Sequence, residues 1–360
     1  EDPEMDLPAI HISLNDCTLE EIHDGATGIP YEGNTLDLDG KEYTNVRVKG
    51  RGNSSWKMPR RSYQIKLHKR DSVLGMPPAK KWLLISNYAD ASMMRNKLMY
   101  DLAGQMMDFA PQAKFADVWI DDEYKGTYLV CQRLATGKTS MNLKSEEGIL
   151  AEVDTFYWYD TEYRFSSEYS PAVFTLKDAC ADDLGKEDSI AEKSFADFEN
   201  YVRRFEDLLY AEDKDWDQIS SMIDVDSFVA FYLLEEFSEN PDSCRTSLYM
   251  YQDGPNDVLH MGPVWDFDKA LGYAQKKKYG GDPKRDYVSQ IQEYMGTEKD
   301  CTWYMELMKI PEFQDAVQEC YQTTARDVFL TSEQLIEDYR HRIAKSAEYT
   351  ENIWPVAEIA

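Results

Sequence analysis

Apolar and polar positions follow two different rhythms along this chain. In the first part they alternate, the period of a half-buried strand: Ala9-Ile10-His11-Ile12, Tyr43 to Lys49, and, after a break at Pro59, Tyr63 to Leu67. Phe115 to Ile120 and Tyr124 to Cys131, joined through Asp121-Asp122-Glu123, predict a hairpin, and Gly148 to Asp154 predicts one more strand. A single helix interrupts them. Asp90-Ala91-Ser92 is a helix start, and Met93, Met94, Leu98, Met99, Leu102 and Met106 follow at helical spacing as core filler. Beyond Asp154 the rhythm becomes helical: Ile190, Phe195, Phe198, Val202, Phe205 and Leu209 share one face, and Asp226 to Phe237 is a second apolar helix. Thr331-Ser332 caps a third, carrying Leu335, Ile336, Tyr339 and Ile343. The pattern predicts an α+β fold, with a strand-rich lobe over residues 1–153, a helix-rich lobe over 154–360, and a ligand in the cleft between them.

One stretch of the helical part returns to alternation. Thr246 to Tyr251, a turn at Asp253 to Asp257 and a second run, Val258 to Val264, predict a hairpin whose strands bring the chain back to the edge it left. Asn240-Pro241-Asp242 before it and Trp265-Asp266-Phe267-Asp268 after it are therefore predicted to lie side by side. One carboxylate could handle a proton while another holds a metal, as in a protein-kinase catalytic core. On an extended strand Asp266 and Asp268 would face one side, and carboxylates are ligands that Mg²⁺ accepts.

Composition narrows the partners. The net charge of −28 argues against nucleic acid, whose phosphates require clustered cations, and favours a basic partner, although much of it serves solubility. Arg47 to Arg70 breaks the rule: it holds nine basic residues and no acidic one. No apolar run is long enough to insert into a membrane, and a monomer is expected. The six cysteines show no C-x-x-C spacing, and the five histidines show no helical metal-ligand pair, which removes H-E-x-x-H zinc chemistry and disfavours a Ser-His-Asp hydrolase. The even cysteine count and acidic start favour export or the cell surface.

Within the basic window, Arg51-Gly52-Asn53-Ser54-Ser55-Trp56 joins two predicted strands. Glycine lets backbone N–H groups approach phosphate oxygens, and Arg51, Asn53, Ser54 and Ser55 add donors, although the turn is neither G-x-G-x-x-G nor a Walker A loop. Lys66 lies mid-strand, in the manner of the kinase lysine that grips phosphates.

Taken with Ser62 to Leu67, Asn87-Tyr88-Ala89-Asp90, Arg95-Asn96, Tyr124 to Tyr128, Glu152-Val153-Asp154 and Asn240 to Asp268, this turn resembles the spore coat protein H (CotH) kinase family, in order over roughly residues 8–275. The resemblance implies a two-lobed, atypical protein-kinase-like fold that transfers the γ-phosphate of ATP to serine of basic, Ser-rich proteins, with Mg²⁺ or Mn²⁺; spore coat is then an alternative location. Carried over by position, Lys66 holds phosphates, with Arg51, Asn53, Ser54, Ser55, Glu152 and Asp154 around the nucleotide. Asp242 is the catalytic aspartate, Asp266 binds the metal, and Asp268 is a second ligand. A kinase catalytic loop puts a metal-binding Asn five residues after its Asp, where this chain has Ser247, a weaker ligand, and that departure leaves reduced or altered catalysis open. Two other readings stand beside it: a non-catalytic scaffold of a surface or cellulosome-type assembly, and AMP transfer at the same site. Tyr273 to Gly296, with Lys276-Lys277-Lys278, is expected to form a substrate rim.

Overall fold

Alternation in the first part sorts residues to the inside and outside of a barrel. A computed structural model describes residues 6–25, 29–155, 163–183, 188–243, 245–272 and 302–356. Seven strands, β1 (Ala9–Ser13), β2 (Tyr31–Leu38), β3 (Lys41–Arg51), β4 (Ser62–Asp71), β5 (Ala79–Ile85), β6 (Ala113–Ile120) and β7 (Glu123–Gln132), run in the order β1-β2-β3-β4-β5-β7-β6. Neighbours are antiparallel except β1 and β6, whose parallel pairing of Ile10 with Val118 closes the sheet. Val46, Val48, Ile65, Leu67, Trp82 and Val130 fill the interior, while Lys49, Gln64 and Lys66 take the intervening outward positions.

Two compact units divide the chain. The first comprises Glu1–Leu98, Gln112–Arg133 and Glu333–Ala360, and so contains the barrel and nearly all of the last helix, Ser332–Ile353. The second comprises Met99–Pro111 and Leu134–Ser332. Its sheet has the order β12-β11-β8-β10-β9, formed by β8 (Ile149–Val153), β9 (Arg164–Ser166), β10 (Val173–Ala179), β11 (Leu248–Gln252) and β12 (His260–Met261). The helices Asp188–Leu209 and Val225–Ser238 belong to the same unit, where Phe174, Phe205 and Phe228 pack around Trp303 at ring separations of 5.1 to 6.3 Å.

The α+β class holds, and the make-up of the two units differs from the expected strand-rich and helix-rich halves. The strand-rich region is a closed barrel, because β1 supplies the edge that β6 would otherwise expose. The later region is not simply helical, since it has its own five-stranded sheet. The compact units also divide the chain elsewhere than after residue 153: β8 pairs with β10 and β11 rather than with the barrel, and the last helix clusters with the barrel. No helix among the described residues is long and apolar enough to cross a membrane.

Candidate functional site

The helix Val225–Ser238 is apolar around almost its whole circumference and buries Phe228 through Glu235. It stops at Glu239, which adopts the left-handed conformation (φ 49°) and donates its N–H to the Glu235 carbonyl at 2.8 Å; Pro241 cannot continue the ladder. The chain then turns on its own side chains. Asn240 Oδ1 accepts the Asp242 N–H at 3.2 Å, Ser243 Oγ donates to the Asn240 carbonyl at 3.0 Å, and the Asp242 carbonyl accepts the N–H groups of Arg245 and Thr246. Asp242 is thereby fixed in a buried loop just before β11.

After the β11–β12 hairpin, Trp265 stacks on Tyr100 with centroids 5.5 Å apart and Phe267 meets the same ring edge-on at 6.3 Å. These two buried rings anchor the segment that carries Asp266 and Asp268. The two ends of the hairpin meet: Asn240 Nδ2 donates to the Asp266 carbonyl at 3.2 Å, the Leu271 N–H donates to the Ser238 carbonyl at 2.7 Å, and Lys269 Nζ lies 2.8 Å from Asp242 Oδ2. Arg245 approaches Asp242 Oδ1 at 3.8 Å. Burial opposes the charge on Lys269, but Asp242, Asp268 and Asp266 outweigh it and hold the ammonium above its ordinary range.

The expected extended strand through Asp266 and Asp268 is not what brings these carboxylates here. β12 is only two residues long, and Asp266 is left-handed (φ 66°). Ser247 is left-handed as well (φ 54°), and its Oγ lies 3.4 Å from Asp266 Oδ2. Left-handed non-glycine residues are uncommon and gather at functional sites, and this loop system has four of them among the described residues: Glu239, Ser247, Asp266 and Leu271. No group of three or more His, Cys, Asp or Glu forms a metal cage among the described residues. Asp266 and Ser247 instead present two hard oxygens close together, a donor set that fits Mg²⁺ bound by one or two protein ligands together with substrate phosphates.

Register extends the site into the sheet. Leu248, next to Ser247, pairs with Val153, next to Asp154, and Thr155 Oγ1 donates to the Arg245 carbonyl at 2.7 Å. One step along, Tyr249 pairs with Glu152 and its hydroxyl donates to Glu152 Oε1 at 3.1 Å. Lys177 Nζ reaches the other oxygen of Glu152 at 2.6 Å. Lys177 sits on the bulge between Leu176 and Asp178, and its ammonium lies 5.5 Å from the centre of the Tyr249 ring. Lys177, Tyr249, Arg245 and Lys269 are not among the residues that the sequence pattern singles out. A lysine inside the apolar run Ala172 to Ala179 was the one available signal.

The remaining predicted residues belong to the first unit. Lys66 on β4 is half-buried on the outer barrel face, paired across the strands with Arg47 on one side and Lys81 on the other. Lys49, two residues along β3 from Arg47, is held below the usual lysine range by burial, then by Arg133 and Arg51. Beyond Arg51 the chain turns at Gly52 (φ 106°) into a short 3-10 helix, Ser54–Lys57, with Asn53 and Ser54 exposed. A side chain at Gly50 would place its Cβ 2.3 Å from the Trp56 ring, so Trp56 folds back over β3 only because position 50 is glycine. Asp242, Ser247, Asp266, Asp268, Glu152 and Asp154 thus share the second unit, whereas Arg51, Asn53, Ser54, Ser55 and Lys66 lie in the first. Tyr273 to Gly296 lies outside the described residues, as do Cys244 and Cys301.

Known proteins bear on this geometry. The family model described as CotH kinase protein matches residues 47–359. The inner spore coat protein H of Bacillus subtilis (strain 168) is 22% identical over 230 residues, covering 63% of this chain and 59% of that protein. The family match reaches from the basic barrel strands through the Asp242 loop and the Asp266 segment to the last helix, and the chain belongs to the CotH kinase protein family.

Proposed function

We propose that the chain is a metal-assisted, ATP-dependent protein serine kinase. The observation that carries this reading is the meeting of the hairpin's two ends, in which Asn240 bonds the Asp266 backbone, Lys269 pairs with Asp242, and Ser247 closes on Asp266. In the reaction, an acceptor serine hydroxyl gives its proton to the Asp242 carboxylate and its oxygen bonds to the γ-phosphorus. The bond from that phosphorus to the β,γ-bridging oxygen breaks, and ADP leaves with the electron pair. Asp266, with Ser247 and Asp268, would hold Mg²⁺ or Mn²⁺, which when bound neutralises charge on the phosphates.

Lys66, Arg51, Asn53, Ser54 and Ser55 would receive nucleotide phosphates, and the concentration of positive charge on the outer faces of β3 and β4 supports this role. Lys177 is a second candidate for a phosphate-gripping cation. It is tied to Glu152 at 2.6 Å, on the strand that pairs with β11 directly beside Ser247, and Asp154 follows on the same strand. The acceptor we infer is a basic, Ser-rich protein, to which a monomer of net charge −28 would be electrostatically matched. A spore-coat or cell-surface setting accords with that substrate.

Intact-mass analysis of the wild type and Asp266→Ala after incubation with ATP, Mg²⁺ and a basic Ser-rich protein tests the reading. A phosphate-sized gain on the acceptor, lost in the variant, is the expected result. An AMP-sized gain would replace phosphoryl transfer by nucleotidyl transfer. Failure of the wild type to bind ATP would leave a scaffold.

A further inference from the structure

Lys269 follows the metal-binding segment by one residue, yet its ammonium turns away along the chain to meet the loop on the other side of the hairpin. Its backbone has little freedom to do otherwise. The Ala270 N–H bonds the Phe267 carbonyl at 3.1 Å, the Leu271 N–H bonds the Ser238 carbonyl at 2.7 Å, and Phe267 is fully buried. The turn carrying Lys269 is therefore pinned both to the buried aromatic anchor and to the end of the helix that leads into Asp242. From there Lys269 Nζ reaches Asp242 Oδ2 at 2.8 Å, with the aspartate side chain 8% and the lysine side chain 33% exposed. A surface ion pair of this kind would contribute little, but a mostly buried carboxylate with an ammonium at hydrogen-bond distance has its orientation set by that contact. The second cation is not equivalent: Arg245 stands 3.8 Å from the other oxygen, Oδ1, beyond hydrogen-bond range.

We propose that Lys269 is a positioning residue for Asp242: it anchors Oδ2, so that Oδ1 is the oxygen that takes the proton of the acceptor hydroxyl. This rests on the phosphoryl-transfer reading above. The serine O–H bond breaks toward Asp242 Oδ1, the serine oxygen bonds to the γ-phosphorus, and ADP departs with the electrons of the broken P–O bond. Without the anchor the carboxylate can rotate about its last torsion and turn either oxygen toward Arg245, so the productive orientation is only one of several. Nucleotide binding, which uses other residues, is not affected.

Lys269→Met and Lys269→Arg test the assignment together, with Mg-ATP and the basic Ser-rich acceptor as probes. Misplacing a reacting group by about 1 Å costs on the order of 100-fold in rate, so Lys269→Met should lower kcat by roughly that factor while KM for ATP stays close to the wild-type value. Lys269→Arg, which keeps a cation within reach of Oδ2, should recover most of the loss. A wild-type kcat in Lys269→Met, or an effect confined to KM for ATP, would overturn the proposal. Hydrogen exchange of the amides from 239 to 246 gives a readout independent of turnover. Faster exchange in Lys269→Met but not in Lys269→Arg is expected, and unchanged exchange in both would overturn the anchor even if no transfer is measurable. A wild type that transfers nothing would instead sink the kinase reading, while the exchange result still decides whether Lys269 holds the loop.

Discussion

Asp242 and Glu235 are two carboxylates seven residues apart, and their surroundings prepare them for different behaviour. Asp242 faces two cations. Glu235, fully buried at the end of its helix, has the hydroxyls of Ser243 and Ser238 beside it, and burial pushes its carboxyl from an ordinary 4.5 up to about 8. Because the folded value is raised, the protonated side chain contributes full stability below about pH 4.5, and that contribution is lost as pH rises through about 8. Every tenfold change in proton affinity between the folded and unfolded chain corresponds to about 1.4 kcal/mol, so the loss across that interval is a few kcal/mol. Glu235→Gln, which keeps the shape and removes the charge, should melt like the wild type at acid pH and at a clearly higher temperature at alkaline pH. Parallel melting curves for the two proteins at every pH would show that Glu235 stays protonated, or is hydrated, throughout. Asp266 and Ser247 make the complementary point about backbone: neither is glycine, yet both are left-handed, and the close approach of their oxygens depends on those conformations.

The hairpin that supports these residues is stapled by a histidine. His260 Nδ1 lies 3.1 Å from Asp224 and Nε2 lies 3.0 Å from Asp257, while its ring stacks on Tyr251 with centroids 4.6 Å apart. Burial lowers the histidine's affinity for a proton, but the Asp224 hydrogen bond and the two carboxylate charges prevail and raise its pKa above 6.5. Asp224 shifts the other way, below 3.8, chiefly through its hydrogen bond to His260. The histidine's contribution is complete below pH 6.5 and disappears as pH rises through its folded value; that of Asp224 is present above pH 3.8 and disappears as pH falls. The staple is therefore strongest in mildly acid solution. His260→Gln should flatten the fall in melting temperature above about pH 6.5, and comparison with Glu235→Gln separates the two overlapping contributions. An unchanged slope in His260→Gln would rule the staple out. The second strand is shorter than its alternation predicts for a reason of the same scale. The Leu259 N–H bonds Met222, its carbonyl takes the Asp224 N–H, and Pro263 has no N–H to give to a ladder.

Across the whole molecule, the two termini of the sequence contribute to one unit. Asp117, buried in β6, accepts hydrogen bonds from Tyr124 (2.7 Å), Thr127 (3.0 Å) and Ser346 (2.6 Å). Thr350 Oγ1 accepts the Thr127 N–H at 2.9 Å, and Phe115 packs edge-on against Tyr339. The last helix thus completes the hydrogen bonding of barrel groups that no water reaches. Thr350→Val keeps the volume and removes the acceptor, leaving the buried Thr127 N–H unsatisfied, which should cost about 1–3 kcal/mol. Equilibrium urea unfolding would register this as a lower midpoint, and a wild-type midpoint would mean that the helix is dispensable to the barrel.

What the sequence determined by itself is local and periodic. β1, β3 and β4 are legible because apolar and polar residues alternate along them, β6, β7 and β8 because strand-length apolar runs are bounded by the Asp121-Asp122-Glu123 turn or by Gly148, and the helices Asp188–Leu209 and Ser332–Ile353 because their apolar positions recur every three or four residues. The pairing of the Asp242 loop with the Asp266 segment is legible too, since a hairpin must return the chain to where it started. The tertiary structure decided what depends on partners distant in the chain: closure of the barrel through β1 and β6, the sheet that β8 shares with β10 and β11, and the attachment of the last helix to the first unit. It also decided the cations. No periodicity marks Lys269 or Lys177, because each owes its place to a buried carboxylate supplied by another element, and the physics of that pairing is written in distances rather than in spacing along the chain.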